Sequence, residues 1–200
     1  MRALCIALPF VIATSAVAQD IVPSIARVIG VAEGDVLNMR AGPDASDEIV
    51  GAFPPDADGI EITAYTPDGR WARVNADEWS GWVAARFLAP SDLPTFLSCF
   101  GTEPFWSIDL YGPDGGIWST PEGEFSPTTS EVLTRTVDVD MRETLIALYE
   151  DRRITVTSFP ETACSDGMSD KLFALGASAI IQYDEGWGEV WSGCCTMVAD

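Results

Sequence analysis

Residues 36–90 read VLNMRAGPDASDEIVGAFPPDADGIEITAYTPDGRWARVNADEWSGWVAARFLAP. In VLNMR, Leu37 and Met39 point one way while Val36, Asn38 and Arg40 point the other. GIEITAY sets Ile60, Ile62 and Ala64 against Glu61, Thr63 and Tyr65, and RWARV sets Ala72 and Val74 against Trp71 and Arg73. A period of two is that of a half-buried strand. Gly42-Pro43, Asp58-Gly59 and Pro67-Asp68-Gly69 supply turn chemistry between the runs. Five or so short strands, each apolar on one face, bury those faces only by closing on one another as a small barrel. Gly81, just before Trp82, lets backbone approach that core. Met39, Phe53, Phe87 and Trp82 are expected inside it, and Trp71 reads equally as core or as surface.

The strings LNMRAGPD, IVGAFPPDADGIEI, GRWARV and SGWVAARFL stand in the order and spacing of the bacterial SH3 family. The chain resembles that family over almost all of residues 28–90. The resemblance implies an SH3-like domain, placed at residues 26–90. Such a domain offers a shallow surface to cell-wall peptidoglycan or to an envelope protein. Tyr65, Trp71 and Trp79 are the rings able to stack on a glycan or peptide face, with Arg40 and Arg73 available to carboxylates. Trp79, in the polar run NADEWSG, is the ring most expected at the surface.

Upstream, Arg2, the apolar run ALCIALPFVIA and Ala16-Val17-Ala18 have the order of a signal peptide over residues 1–18, cut before Gln19. The run is short for a membrane span, and no later stretch reaches the needed length, so no transmembrane segment is expected after cleavage. The expected location is periplasmic or secreted. Cys5 stands at the front of the apolar run, whereas a lipidated cysteine would follow it. The formal net charge is −20. Residues 19–90 hold 12 acidic and 5 basic side chains, and residues 91–200 hold 19 and 5. Such a surface repels nucleic acid and anionic lipid, so neither is an expected partner. It reads as a solvated acidic face, or as an attraction for cationic partners.

Downstream, two prolines interrupt APSDLPTFLS, so a linker is expected at residues 91–97 and a second domain at 98–200. Alternation continues in TVDVDM. TLIALY and RITVTSF read as one hairpin, and KLFALGASAIIQY and GEVWSGCC as another. Seven or eight strands suit an antiparallel barrel or sandwich, which makes the whole chain all-β. YTPDGRW and YGPDGGIW read as one turn solution used twice. After cleavage four cysteines remain, Cys99, Cys164, Cys194 and Cys195, and an even count in an exported chain points to disulfides. Three pairings are open. A bond between the adjacent Cys194 and Cys195 is strained. On a strand these two face opposite ways, so that one would reach Cys164 and the other Cys99. With no C-x-x-C pair and no histidine, neither a metal nor a cofactor is expected.

GTEPFWSIDL, CSDGMSD and the closing W-S-G-C string resemble an uncharacterised family of exported bacterial envelope proteins, often lipoproteins, over most of residues 98–197. The resemblance implies no particular activity. Members have aromatic or basic residues after GMSD, where this chain has KLFALG. A chain without histidine has no Ser-His-Asp triad, no Cys-His pair and no histidine-bound zinc. No enzymatic activity is expected. A carboxylate pair needs only Asp and Glu, and Glu103 with Asp166 or Asp170 is the candidate. As a site these would form a small acidic pocket beside Phe105 and Trp106, suited to an amine, a cation such as calcium, or a sugar. As structure, Glu103 would accept N–H bonds in the Gly-Thr turn and Asp166 would close an Asx turn before Gly167. The expected function is non-enzymatic binding in the cell envelope. Two alternatives are inhibition of a lysozyme-type wall hydrolase by the acidic second domain, and carboxylate-based glycoside hydrolysis.

Overall fold

The computed structural model describes residues 22–110, 115–134 and 142–199. The expected signal peptide at residues 1–18, the start of the YGPDGGIW turn and the TVDVDM run lie outside these residues. The strands of the first half are β1 (Ser24–Val28), β2 (Leu37–Arg40), β3 (Ile49–Phe53), β4 (Ile60–Tyr65), β5 (Trp71–Ala76), β6 (Trp79–Ala84) and β7 (Leu88–Pro90). A 3-10 turn, Ala85–Phe87, precedes β7. The second half contributes β8 (Thr95–Thr102), β9 (Phe105–Asp109), β10 (Trp118–Thr120), β11 (Gly123–Phe125), β12 (Thr129–Thr134), β13 (Glu143–Leu148), β14 (Arg152–Cys164), β15 (Phe173–Tyr183) and β16 (Gly188–Ala199). The chain is all-β, and among the described residues no helix is long and apolar enough to cross a membrane.

The first sheet has the order β3-β2-β6-β5-β4-β1-β7. It opens at Ser24, two residues before the expected boundary. Leu37, Met39, Ile60, Ile62, Ala72, Val74 and Val83 are buried together, as alternation requires. Val50 from β3 and Leu88 from β7, at opposite edges, pack on that same cluster, so the sheet wraps around one core. Trp82 is a correction. Gly81 and Val83 take the inward positions of β6, and the ring is left half-buried on the other face. A side chain at Gly81 would meet Met39 Cγ at 2.5 Å and the Arg40 carbonyl at 2.9 Å. The glycine therefore serves close approach of β6 to β2.

The second sheet has the order β11-β10-β9-β8-β16-β15-β14-β13-β12, all antiparallel. Among the described residues there are nine strands rather than seven or eight, because β10 and β11 are three residues each and too short to show alternation. Strand β8 begins at Thr95, inside the stretch expected to be linker. The sheet curls into a half-barrel. Phe125 and Val132, from its two edge strands, pack on one cluster with Ile108, Leu145, Val156 and Leu175. Tyr149 ties the β13–β14 turn to the β9–β10 loop, its hydroxyl donating to the Gly116 carbonyl.

Cys194 and Cys195 face opposite sides of β16. Cys195 joins Cys99, its direct partner across β8, inside the half-barrel. Cys194 joins Cys164, and with Phe173 and Phe100 forms a separate buried cluster on the other face. That outer face meets the first sheet.

Candidate functional site

Two surfaces gather the functional side chains. On the first sheet, Arg40 leaves the end of β2 on the off-core face, and Trp71 opens β5 on that face. Together with Arg86 of the 3-10 turn and Phe87 they line a hollow of about 410 Å³. A second hollow, about 840 Å³, adjoins it, lined by Tyr65, Arg70, Arg86, Leu88 and Pro90. Arg86 belongs to both. Arg40 is oriented by an Nη1 bond of 2.7 Å to the Asp47 carbonyl. The Arg86 guanidinium lies 4.6 Å from the Phe87 ring centroid. Arg70 pairs with Asp68 at 2.5 Å in full solvent, a contact that holds its geometry but contributes little energy. Three arginines and two half-buried rings thus share one face of a chain whose charge is otherwise strongly negative.

This wrapped sheet, with its basic and aromatic hollows, is spanned by one recognised sequence pattern. Residues 35–89 match the bacterial SH3 domain. The match begins after β1, so the first strand of the SH3 sheet lies outside it. No curated protein and no solved structure matches the chain. Of the five residues expected on the SH3 surface, Tyr65, Trp71 and Arg40 border the two hollows. Arg70 and Arg86 complete them and were missed. Both sit in turn-like sequence, GRW and ARF, where no alternation marks a face.

Arg73 and Trp79 go elsewhere, to the junction with the second sheet. Arg73 is a correction: it is 8 % exposed. Its Nε donates to Thr63 Oγ1 at 2.9 Å and its Nη2 to the Thr162 carbonyl at 2.7 Å. It is thus a strut between sheets and unavailable to a ligand. Trp79 is exposed as expected, and its backbone forms a parallel bridge with Asp170. Around that bridge, the Ser80 N–H donates to the Asp170 carbonyl at 3.2 Å and the Asp170 N–H to the Glu78 carbonyl at 2.9 Å. Leu172 N–H donates to Ser80 Oγ at 2.7 Å, and Asn75 Nδ2 donates to the Leu172 carbonyl at 3.3 Å.

Glu61 is the buried acid of this junction. Its Oε1 accepts the Met197 N–H and its Oε2 accepts the Thr196 hydroxyl, both at 2.7 Å. Burial raises its carboxyl to about 7, against the lowering effect of those two donors. The sequence placed Glu61 and Thr63 on a polar face, yet both are buried, because the second sheet covers that face.

The GTEPFW and CSDGMSD strings are brought together: Thr102 Oγ1 donates to the Asp166 carbonyl at 2.6 Å. Their carboxylates do different things. Asp166 closes the Asx turn, accepting from Met168 N–H at 2.9 Å, Ser169 N–H at 2.8 Å and Ser169 Oγ at 2.8 Å. Burial opposes its charge, but the donors of Ser169 and Met168 outweigh burial and hold it below the usual carboxylate range. That direction is the reverse of what a general acid requires. Glu103 is exposed at the β8–β9 turn and, among the described residues, accepts none of the N–H bonds expected of it. Asp170 is exposed beside Trp79. Trp106 is a correction. It is buried in the half-barrel, stacked on Trp118 with centroids 5.1 Å apart. Gly101 and Gly193 make room for it: a Cβ on either would come within 2.8 Å of the indole. Phe105, on the opposite face of β9, is the exposed ring instead.

Proposed function

We propose that the chain is a non-enzymatic binding protein of the bacterial envelope or its exterior, and that its SH3 domain holds peptidoglycan or an envelope protein on the arginine–aromatic face. The observation that carries this reading is the convergence of Arg40, Arg70 and Arg86 on Trp71 and Tyr65 in two adjoining hollows. Guanidinium groups suit carboxylates, which peptide stems and acidic protein segments both supply. The rings provide stacking area for a sugar or peptide face. Two disulfides are compatible with residence outside the cytoplasm.

Sedimentation of the full chain with purified peptidoglycan tests the wall-binding form, and titration with that wall's soluble peptide stems tests the carboxylate contact. Arg70→Ala and Arg86→Ala each remove one charge-assisted contact, so each is expected to weaken retention by about tenfold. Trp71→Ala is expected to weaken it further. Unchanged retention in the double arginine variant would remove this face as the site.

A further inference from the structure

The junction between the sheets opens into a groove of about 650 Å³ that the arginine face does not touch. Its floor holds Phe100 and Phe173, packed edge to face with centroids 5.1 Å apart. Glu78, Asp166 and Ser169 line it together with Met197–Ala199 of β16. Beyond Cys195 that strand pairs with β8 on one side, and on the other Glu61 of β4 takes the Met197 N–H.

Three large exposed apolar side chains stand beside residues that line it: Trp79 follows Glu78, Met168 lies between Asp166 and Ser169, and Phe105 is on β9, next to the strand that carries Phe100. Trp79 is 52 % exposed, Met168 69 % and Phe105 51 %. A single exposed apolar residue is ordinary. These three are linked through one loop: Trp79 bridges Asp170, Met168 lies two residues before Asp170, and Phe105 is the cross-strand partner of Thr102, which binds Asp166. Tryptophan and methionine are the side chains that anchor protein interfaces. Among the groove's lining residues the ionisable side chains are Asp58, Glu61, Glu78, Asp166 and Lys171; Glu61 is buried and held by Thr196 and Met197, which leaves three carboxylates beside one cation. Glu103 and Asp170 add further exposed acids near Phe105 and Trp79.

We propose that this groove and the apolar side chains beside it dock a basic protein segment bearing large apolar side chains. Carboxylates around the groove select positive charge and steer its approach. Trp79, Met168 and Phe105 supply the desolvated anchors.

The test uses the full chain and a fluorescein-labelled peptide alternating lysine with leucine. One control peptide replaces lysine by glutamine and another replaces leucine by serine. The lysine–leucine peptide is expected to bind at least about tenfold more tightly than either control, and Trp79→Ala/Met168→Ala is expected to weaken it by at least about tenfold. Both side chains are more than half exposed, so the folded state tolerates the change. Trp187→Ala/Val190→Ala, a comparably exposed pair on the β15–β16 hairpin, is expected to bind as the native chain does. Arg70→Ala/Arg86→Ala should also leave this binding intact, which separates it from the peptidoglycan reading. Absence of binding, equal binding by the lysine–serine peptide, or equal binding by the Trp79/Met168 variant would each overturn the proposal.

Discussion

Glu61 occupies a strand position between Ile60 and Ile62, whose side chains belong to the SH3 core. Its carboxyl crosses to β16 and meets donors there but no cation. The folded-state value of about 7 lies above the ordinary 4.5, so the folded chain takes up the proton more readily than the unfolded one. The associated stability is fully present below about pH 4.5 and is lost as pH rises through about 7. Over that window the loss amounts to about 3 kcal/mol at most. Glu61→Gln keeps an acceptor for Met197 and a polar group for Thr196 while removing the ionisation. Relative to the native chain, the variant is expected to gain stability steadily between about pH 5 and about pH 8. Denaturant unfolding of both proteins across that range checks it. A difference independent of pH would show that the carboxyl does not titrate at the junction. Nothing local announces this role, since glutamate opposite isoleucines is also what an ordinary wet strand face shows.

Strand β16 shows an element whose sequence was almost fully readable. Adjacent cysteines on a strand must diverge, and they do: one staple lies in the half-barrel and the other on its outer face. The Cys164–Cys194 bond closes a separation of 30 residues and ties β14 to β16 across β15. Cys164→Ser/Cys194→Ser is expected to lower stability by about 3–4 kcal/mol in the chain-entropy account. The fall in denaturation midpoint measures it. A change below about 1 kcal/mol would mean that the packing of Phe100 and Phe173 holds this face unaided. Strand β9 teaches the opposite lesson. Trp106, Ile108 and Leu110 alternate and are all buried, so the indole's placement was already written in the period. Reading GTEPFW as a functional string obscured it. In β5, alternation correctly set Arg73 apart from Ala72 and Val74, but alternation separates faces without saying which face meets water.

At the scale of the molecule, the net charge is −20, acidic side chains are in excess in both halves, and Arg40, Arg70 and Arg86 share one face. Self-repulsion of this kind weakens the compact state and is screened by salt. Raising sodium chloride from low to physiological concentration is therefore expected to raise the thermal midpoint. Differential scanning calorimetry checks the sign, and a lower midpoint would show that ion pairs such as Arg27–Asp92 outweigh the repulsion. The arrangement of two wrapped sheets with separate cores follows from patterns that repeat every two residues, broken by glycine and proline turns. Those signals are local, so strands, hairpins, the SH3 barrel and the divergence of the cysteines could be read from the chain directly. The junction could not. Glu61 finds Thr196 across 135 positions, Arg73 finds Thr162 across 89, and Asn75 finds Leu172 across 97. Whether a polar strand face is solvated or covered depends on residues that only folding brings near. The groove, the buried acid and the meeting of Trp79 with the CSDGMSD loop were therefore decided by tertiary structure alone.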